Sequence, residues 1–321
     1  MKHVAGLALL LGLASAPSTL QAQAWPDRPI TLVVPYAPGG YTDLTARLTA
    51  RYLEKALGKP VVVDGRPGAG GIVGTQAVAS AAPDGYTFCV CSVGAISVAP
   101  FAQKVGYDPV KDLAPVSIIS TIVQAVVVKK ALPVTTMAEL VAYAKKQNAP
   151  LQYTTGGIGS YGHLWWEMFR ARQGIDGQHV AYNGIAPALK DVVGGQVPLL
   201  IDAIVPTGAQ VKAGAVRGLA IVSAQRAKSL PDVRTLTEQG YAGLDAAPFY
   251  GILGPANLDP AAQQRLSETL QKALAMPALR DKLQEQGFDV VGSSPNAYAK
   301  LIRDEIERWT KVVQASGIKV E

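Results

Sequence analysis

Cysteine is nearly absent: the chain has two in 321 residues, too few for a disulfide framework or a cysteine zinc cluster. Basic runs are absent too. No block of Lys and Arg exceeds two residues, and the formal charge is only +6. A nucleic-acid surface needs a concentrated basic footprint, so that partner is excluded. The three histidines show no His-Glu-x-x-His or paired-ligand spacing, so no metal and no cofactor are expected. After the leader, no stretch is apolar for the roughly 18 residues that a membrane helix requires. What is present is 49% hydrophobic and 17% charged, with 32 Gly and 22 Pro. That balance excludes a disordered, coiled-coil or collagen-like chain and fits a loop-rich fold of one large or two linked domains.

The front of the chain reads as an address. Met1-Lys2-His3 is cationic, residues 4–16 are apolar, and Pro17-Ser18-Thr19 breaks the run. Ala22-Gln23-Ala24 then offers small residues at cleavage spacing, which predicts a removed secretory signal over residues 1–24 and a periplasmic product. Export argues against nucleotide chemistry, because ATP and nicotinamide cofactors are cytoplasmic supplies. Cys89 and Cys91 lie two apart on an apparent strand. Bridging such a pair strains the backbone, so two buried free thiols are expected.

One device recurs. Thr31-Leu32-Val33-Val34 runs into Pro35-Tyr36-Ala37-Pro38-Gly39-Gly40 and then an amphipathic segment to Leu57. Val61-Val62-Val63 runs into Arg66-Pro67-Gly68-Ala69-Gly70-Gly71 and a helical pattern over residues 72–81. Leu151-Gln152-Tyr153 runs into a Thr154–Ser160 loop and a helix over residues 161–173. Strand, glycines, then a capped helix start predicts an α/β fold, parallel-rich with helices on both sheet faces. Ligands in such folds sit beyond the strand carboxyl ends, where helix N-termini collect and bind anions without an arginine. Residues 114–130 are almost continuous Val and Ile, too long for one strand in one layer and suited to crossing between two domains. Residues 245–253 supply a return crossing, and three Pro-initiated C-terminal helices are expected at 260–276, 277–286 and 295–316.

These stretches carry a resemblance. Val34 through Asp43, Arg66 through Gly74, Asp84-Gly85-Tyr86-Thr87, Gly159 through Leu164, Tyr182 through Ala188, and Leu230-Pro231-Asp232-Val233 resemble, in order, the Bug family. These are the TctC-like extracytoplasmic solute receptors of tripartite tricarboxylate transporters. The resemblance implies a two-lobed periplasmic binding protein, a type II Venus flytrap that performs no chemistry. Lobe 1 would comprise residues 25–124 and 246–321 and lobe 2 residues 125–245, with hinge strands near 118–128 and 248–252. A monomer would capture a small organic acid or amino acid between the lobes and deliver it to the transporter's membrane subunits. Carried over, the first-lobe contacts fall on Tyr36, Pro38, Gly39, Gly40, Tyr41, Thr42, Asp43, Ala69 and Gly70. The second-lobe contacts fall on Thr155, Gly159, Ser160, Gly184, Ala186, Pro187 and Asp202.

Several of these residues have a plainer use. Asp43 suits the first turn of a helix, where capping alone explains it. Asp202 either reaches the cleft or caps the helix containing Thr207; at the cleft it would select among ligands rather than grip an anion. Tyr36, Tyr41, Tyr161 and Trp165-Trp166 offer aromatic walls for a ring-bearing acid, although a Trp so placed also suits the core. Gly157-Ile158-Gly159-Ser160-Tyr161-Gly162 matches the G-x-G-x-x-G fingerprint, making an exported enzyme or nucleotide binder the rival reading. The following strand, ending at Gly184, has no acidic residue for a ribose. The G-x-S-x-G elbow is missed as well, so Ser160 reads as a helix cap and donor rather than a nucleophile.

Overall fold

A computed structural model describes residues 25–36, 38–102, 104–157, 160–182, 184–244 and 247–316. The expected signal segment and Gly159 lie outside the described residues. The chain begins with β1 (Ile30–Val34), α1 (Tyr41–Leu57), β2 (Val61–Gly65), α2 (Ile72–Ala79), β3 (Thr87–Ser92) and the short α3 (Ala99–Ala102). Then follow β4 (Leu113–Ile122), β5 (Gln124–Lys129), α4 (Met137–Lys146), β6 (Leu151–Tyr153), α5 (Tyr161–Gln173) and β7 (Gly177–His179). Next come α6 (Ile185–Val193), β8 (Leu199–Ala203), α7 (Ile204–Lys212) and β9 (Val216–Val222). The last run is β10 (Phe249–Pro255), α8 (Pro260–Ala275), α9 (Pro277–Glu285), β11 (Phe288–Val290) and α10 (Pro295–Ser316).

The strands build a six-stranded sheet in the order β11-β4-β10-β3-β1-β2, a three-stranded sheet β8-β5-β9 and a two-stranded β6-β7 pair. The long Val/Ile run resolves into two strands. β4 belongs to the large sheet and β5 to the three-stranded one, with Val123 as the single residue between them. Two-lobed α/β architecture follows, but the sheets are less parallel than expected. β2 and β3 pair parallel with β1, and β7 with β6; β10 and β11, and both neighbours of β5, pair antiparallel. The reason is the route of the chain. Crossing segments that return without a helical crossover come back antiparallel, as β10 does between β3 and β4.

Alternation explains why the strands are unbroken apolar runs. Leu32, Val34, Phe88 and Val90 face one core with Ala46, Ala50 and Leu53 of α1 and Leu266 and Leu270 of α8. Val33, Cys89 and Cys91 face the other, with Val78 of α2 and Tyr298, Ile302 and Trp309 of α10. On β5, Val126 and Val128 join this second core while Ala125 and Val127 face Ala188 and Val192 of α6. Both faces of these strands are therefore covered by helices, and each fully buried large side chain contributes about 1.5–3 kcal/mol. Helix ends are locally encoded. α1 stops at Gly58, in a left-handed conformation with its N–H on Glu54 O, and α8 starts with the Asp259 carboxylate accepting from Ala261 N–H.

The cysteines depart from expectation. Cys89 and Cys91 form a disulfide, with Cα atoms 5.4 Å apart, instead of the two free thiols the strand pattern suggested. Their side chains project to the same face of β3. The Cα separation falls within the range of about 4.4–6.8 Å that a disulfide spans.

Candidate ligand-binding cleft

The strand-to-helix loops of both lobes converge on one cleft of about 640 Å³. From the first loop, Tyr36, Pro38, Gly39, Gly40, Tyr41 and Thr42 line it, with Gly70 from the second. Gly156, Gly157, Ser160, Tyr161 and Gly162 line the far wall beside Gly184, Ile185 and Asp202. Three helices thus point their N-termini at one space. Gly40 before α1 and Gly184 before α6 supply no side-chain cap, while Ser160 caps α5 by accepting from His163 N–H at 3.4 Å. Each helix start carries roughly half a positive charge in its unpaired N–H groups. Among the described lining residues there is no Lys, Arg or His. A second opening of about 690 Å³, beside α7 and β11, is lined by none of the expected contact residues.

Close packing fixes the far wall. A Cβ at Gly162 would lie 2.3 Å from the Ile201 carbonyl oxygen, so only glycine lets α5 press its first turn onto β8. That contact sets the start of α5 beside Asp202, the next residue along β8. On the near wall, the Tyr36 hydroxyl accepts from Ser92 Oγ at 2.7 Å. Tyr41 and Tyr250 both set their rings edge-on against Phe288, at 6.0 and 5.6 Å.

Some expected contacts stand behind this surface. Asp43 is buried and does not line the cleft; its carboxylate accepts from Gly39 N–H at 3.0 Å and from Arg47 Nε at 2.9 Å. The Arg47 hydrogen bond holds its carboxyl below the usual carboxylate range. Asp43 therefore ties the glycine loop to α1. Thr155 is fully buried, and its Oγ1 meets Gly157 O, His179 Nε2 and Ser160 Oγ, each at 3.0 Å. It braces the second-lobe loop from within. Ala69, Ala186 and Pro187 are exposed but lie off the cleft lining, next to Gly70 and Ile185 which do form it. Trp165 and Trp166 belong to the core: both are fully buried, and Trp165 Nε1 donates to Leu244 O at 2.9 Å. Among the described lining residues, the aromatic wall is made of tyrosines alone.

Sequence reasoning did not place Ser92, Val93, Gly94, Gln124, Pro248 or Tyr250 at the cleft. Gln124 did carry a signal, as the lone polar side chain among Ile122, Val123 and the Ala125–Val128 run. The others arrive from strand ends whose local sequence marks nothing.

Behind the far wall, the His163 and His179 rings stack at 4.2 Å, with the Tyr153 ring 5.0 Å from His179. The Tyr153 hydroxyl donates to Glu167 Oε1 at 2.6 Å, and Arg170 pairs with the same carboxylate. Burial, then the neighbouring His163, lowers the His179 pKa from 6.5 to about 4. A histidine whose folded pKa is depressed costs stability when it is protonated. The contribution is present above about pH 6.5 and is lost as the pH falls towards 4. Scanning calorimetry between pH 7.5 and 4.5 is expected to show a falling Tm, and His179→Gln a shallower fall over the same interval. Equal slopes for both proteins would remove His179 as a source of the pH dependence.

Comparison with known proteins agrees with this geometry. The profile of the "Tripartite tricarboxylate transporter family receptor" matches residues 45–318. The chain is 33% identical to Protein BugT of Bordetella pertussis, over 99% of this chain and 98% of that protein. Among solved structures, a Rhodopseudomonas palustris protein with adipate superposes with a TM-score of 0.79 at 35% identity, covering 92% of this chain and 99% of that one. MatC from Rhodopseudomonas palustris, with bound malate, gives 0.77 at 31% identity, covering 90% and 100%. With the family profile matched over residues 45–318 and relatives more than 30% identical over nearly their whole length, the chain belongs to the tripartite tricarboxylate transporter receptor family.

Proposed function

We propose that this protein is a periplasmic receptor that closes its two lobes on one small carboxylate and hands it, unchanged, to a tripartite tricarboxylate-type membrane transporter. The observation that carries the reading is the meeting of three helix N-termini at a cleft with no basic side chain among its described lining residues. Such a site attracts an anion through N–H dipoles, and closure strengthens each contact by expelling water. Its site residues are those of both lobes that line the cleft, with Asp43 and Thr155 supporting them. Residues 25–124 and 246–321 form lobe 1 and residues 125–245 lobe 2. The division is supported by the passage of the chain from one sheet to the other at Val123. Residues 1–24 act as the secretory signal, and no described helix is long and apolar enough to cross a membrane. The receptor works as a monomer with neither metal nor cofactor. The adipate and malate held by its relatives support a carboxylate ligand here.

A thermal-shift screen over aliphatic, amino and aromatic acids is the test. A ligand at 100 times its Kd stabilises the folded state by about 2.7 kcal/mol, enough for a shift of several degrees. NMR of the same mixture is expected to return the acid intact. Consumption of the acid would replace the receptor reading with an enzyme.

A further inference from the structure

Asp202 is an unusual lining residue for an anion trap. Its side chain lies at the end of β8, 8% exposed, and forms part of the cleft wall. Oδ1 accepts the Ala203 N–H at 2.6 Å, and the Gly156 N–H is directed to the same carboxylate. The approach at Gly156 is so close that a Cβ there would stand 2.7 Å from Oδ2. Two backbone donors on this side are therefore already engaged by the chain's own carboxylate. No ion pair among the described residues includes Asp202, and the cleft offers no Lys, Arg or His to balance it. Tyr41 and Tyr250 of the opposite wall are close enough to feel its charge. Gln124, only 5% exposed, lines the same space.

We propose that the Asp202 side of the cleft recognises a hydrogen-bond donor on the ligand, so that the bound acid carries an ammonium or hydroxyl group besides its carboxylate. This rests on the carboxylate-receptor reading and narrows it. The ligand's carboxylate takes the free helix starts at Gly40 and Gly184, whose N–H groups have no side-chain cap. Its ammonium or hydroxyl meets Asp202, supplying the balancing donor that no described side chain provides. A second bare carboxylate at that point would face Asp202 across a poorly hydrated gap, where like charges repel strongly. Burial raises the Asp202 pKa to about 6, as expected of a carboxylate waiting for a proton or a donor. The choice between a donor-bearing acid and its plain counterpart is thereby built into one residue.

The test is calorimetric titration of the unaltered protein at pH 7.5 with matched pairs that differ only by the donor. Suitable pairs are succinate against malate and aspartate, glutarate against glutamate, and adipate against 2-aminoadipate. In at least one series the donor-bearing member is expected to bind about tenfold tighter or more, the scale of a charge-assisted hydrogen bond. Asp202→Asn, which keeps the shape and removes the charge, is expected to bring that ratio to within about threefold. The ratio in the unaltered protein decides the matter even if the variant folds poorly. Plain diacids binding as tightly as their donor-bearing partners would overturn the donor rule and leave the receptor reading intact. Binding of none of these acids would overturn the donor rule, and the receptor reading falls with it only if the aromatic acids of the wider screen fail as well.

Discussion

Gly40→Val is expected to weaken binding of the preferred carboxylate by about 100-fold or more, because its methyls fill the space through which the anion approaches the backbone, a loss equivalent to about 2.7 kcal/mol. The unliganded protein should keep nearly its original Tm. Gly40 has φ −76° and ψ 171°, an extended conformation that valine adopts without strain. It lines the cleft and is exposed, so the added methyls displace ligand rather than core. Gly39 is the poorer choice for this experiment. Its φ of 81° is disfavoured for any L side chain, so a valine there mixes backbone strain with lost affinity. Calorimetric Kd and Tm for the Gly40 variant separate the two effects. Full affinity with valine in place would take the first glycine loop out of the binding site.

The largest stability effect is expected at Trp165. Truncation to alanine removes a fully buried indole from between Trp166 and Phe169, whose ring stacks on it at 5.4 Å. It also strips the Leu244 carbonyl of the Nε1–H donor 2.9 Å away. Large aromatic-to-alanine changes in cores cost about 3–5 kcal/mol, which corresponds to a Tm lower by on the order of 10 °C in a protein of this size. Trp165→Phe keeps part of the volume and is expected to recover about half of the loss. Because neither indole lines the cleft, ligand affinity measured well below the transition should hold in Trp165→Phe. A large drop in affinity without a drop in Tm would place the indole's role at the cleft instead.

The glycine loops were legible because their task is local: a strand must end, a helix must start, and its N–H groups must stay open. Gly40, Ser160 and Gly184 announce that in a few residues of sequence. The end of α1 at Leu57 and the start of α10 at Pro295 could be read from capping and apolar spacing for the same reason. Asp43 and Thr155 were expected among the contacts, Asp43 with capping as its plainer use, and in the structure both side chains bond to their own loop and helix. Sequence places them on the right loop, but only packing decides whether a side chain turns to the ligand or back to its own backbone. Ser92 and Tyr250 reach the cleft through strand order, which no local pattern records. The Cys89–Cys91 bridge was missed because an average strand holds such a pair too far apart, and β3 brings these two closer.

The position of β10 has a consequence for the order in which the molecule can be built. This strand comes late in the chain, yet it lies inside the large sheet, paired with β3 on one side and β4 on the other. Until residues 249–255 arrive, β3 and β4 each present an unpaired, strongly apolar edge. The three-stranded sheet of β8, β5 and β9 is already complete in sequence by then. A chain interrupted between β9 and β10 would therefore contain one finished sheet and one open seam, the kind of exposed edge that invites pairing with another chain. The near wall of the cleft, resting on Tyr250, closes only when that seam does.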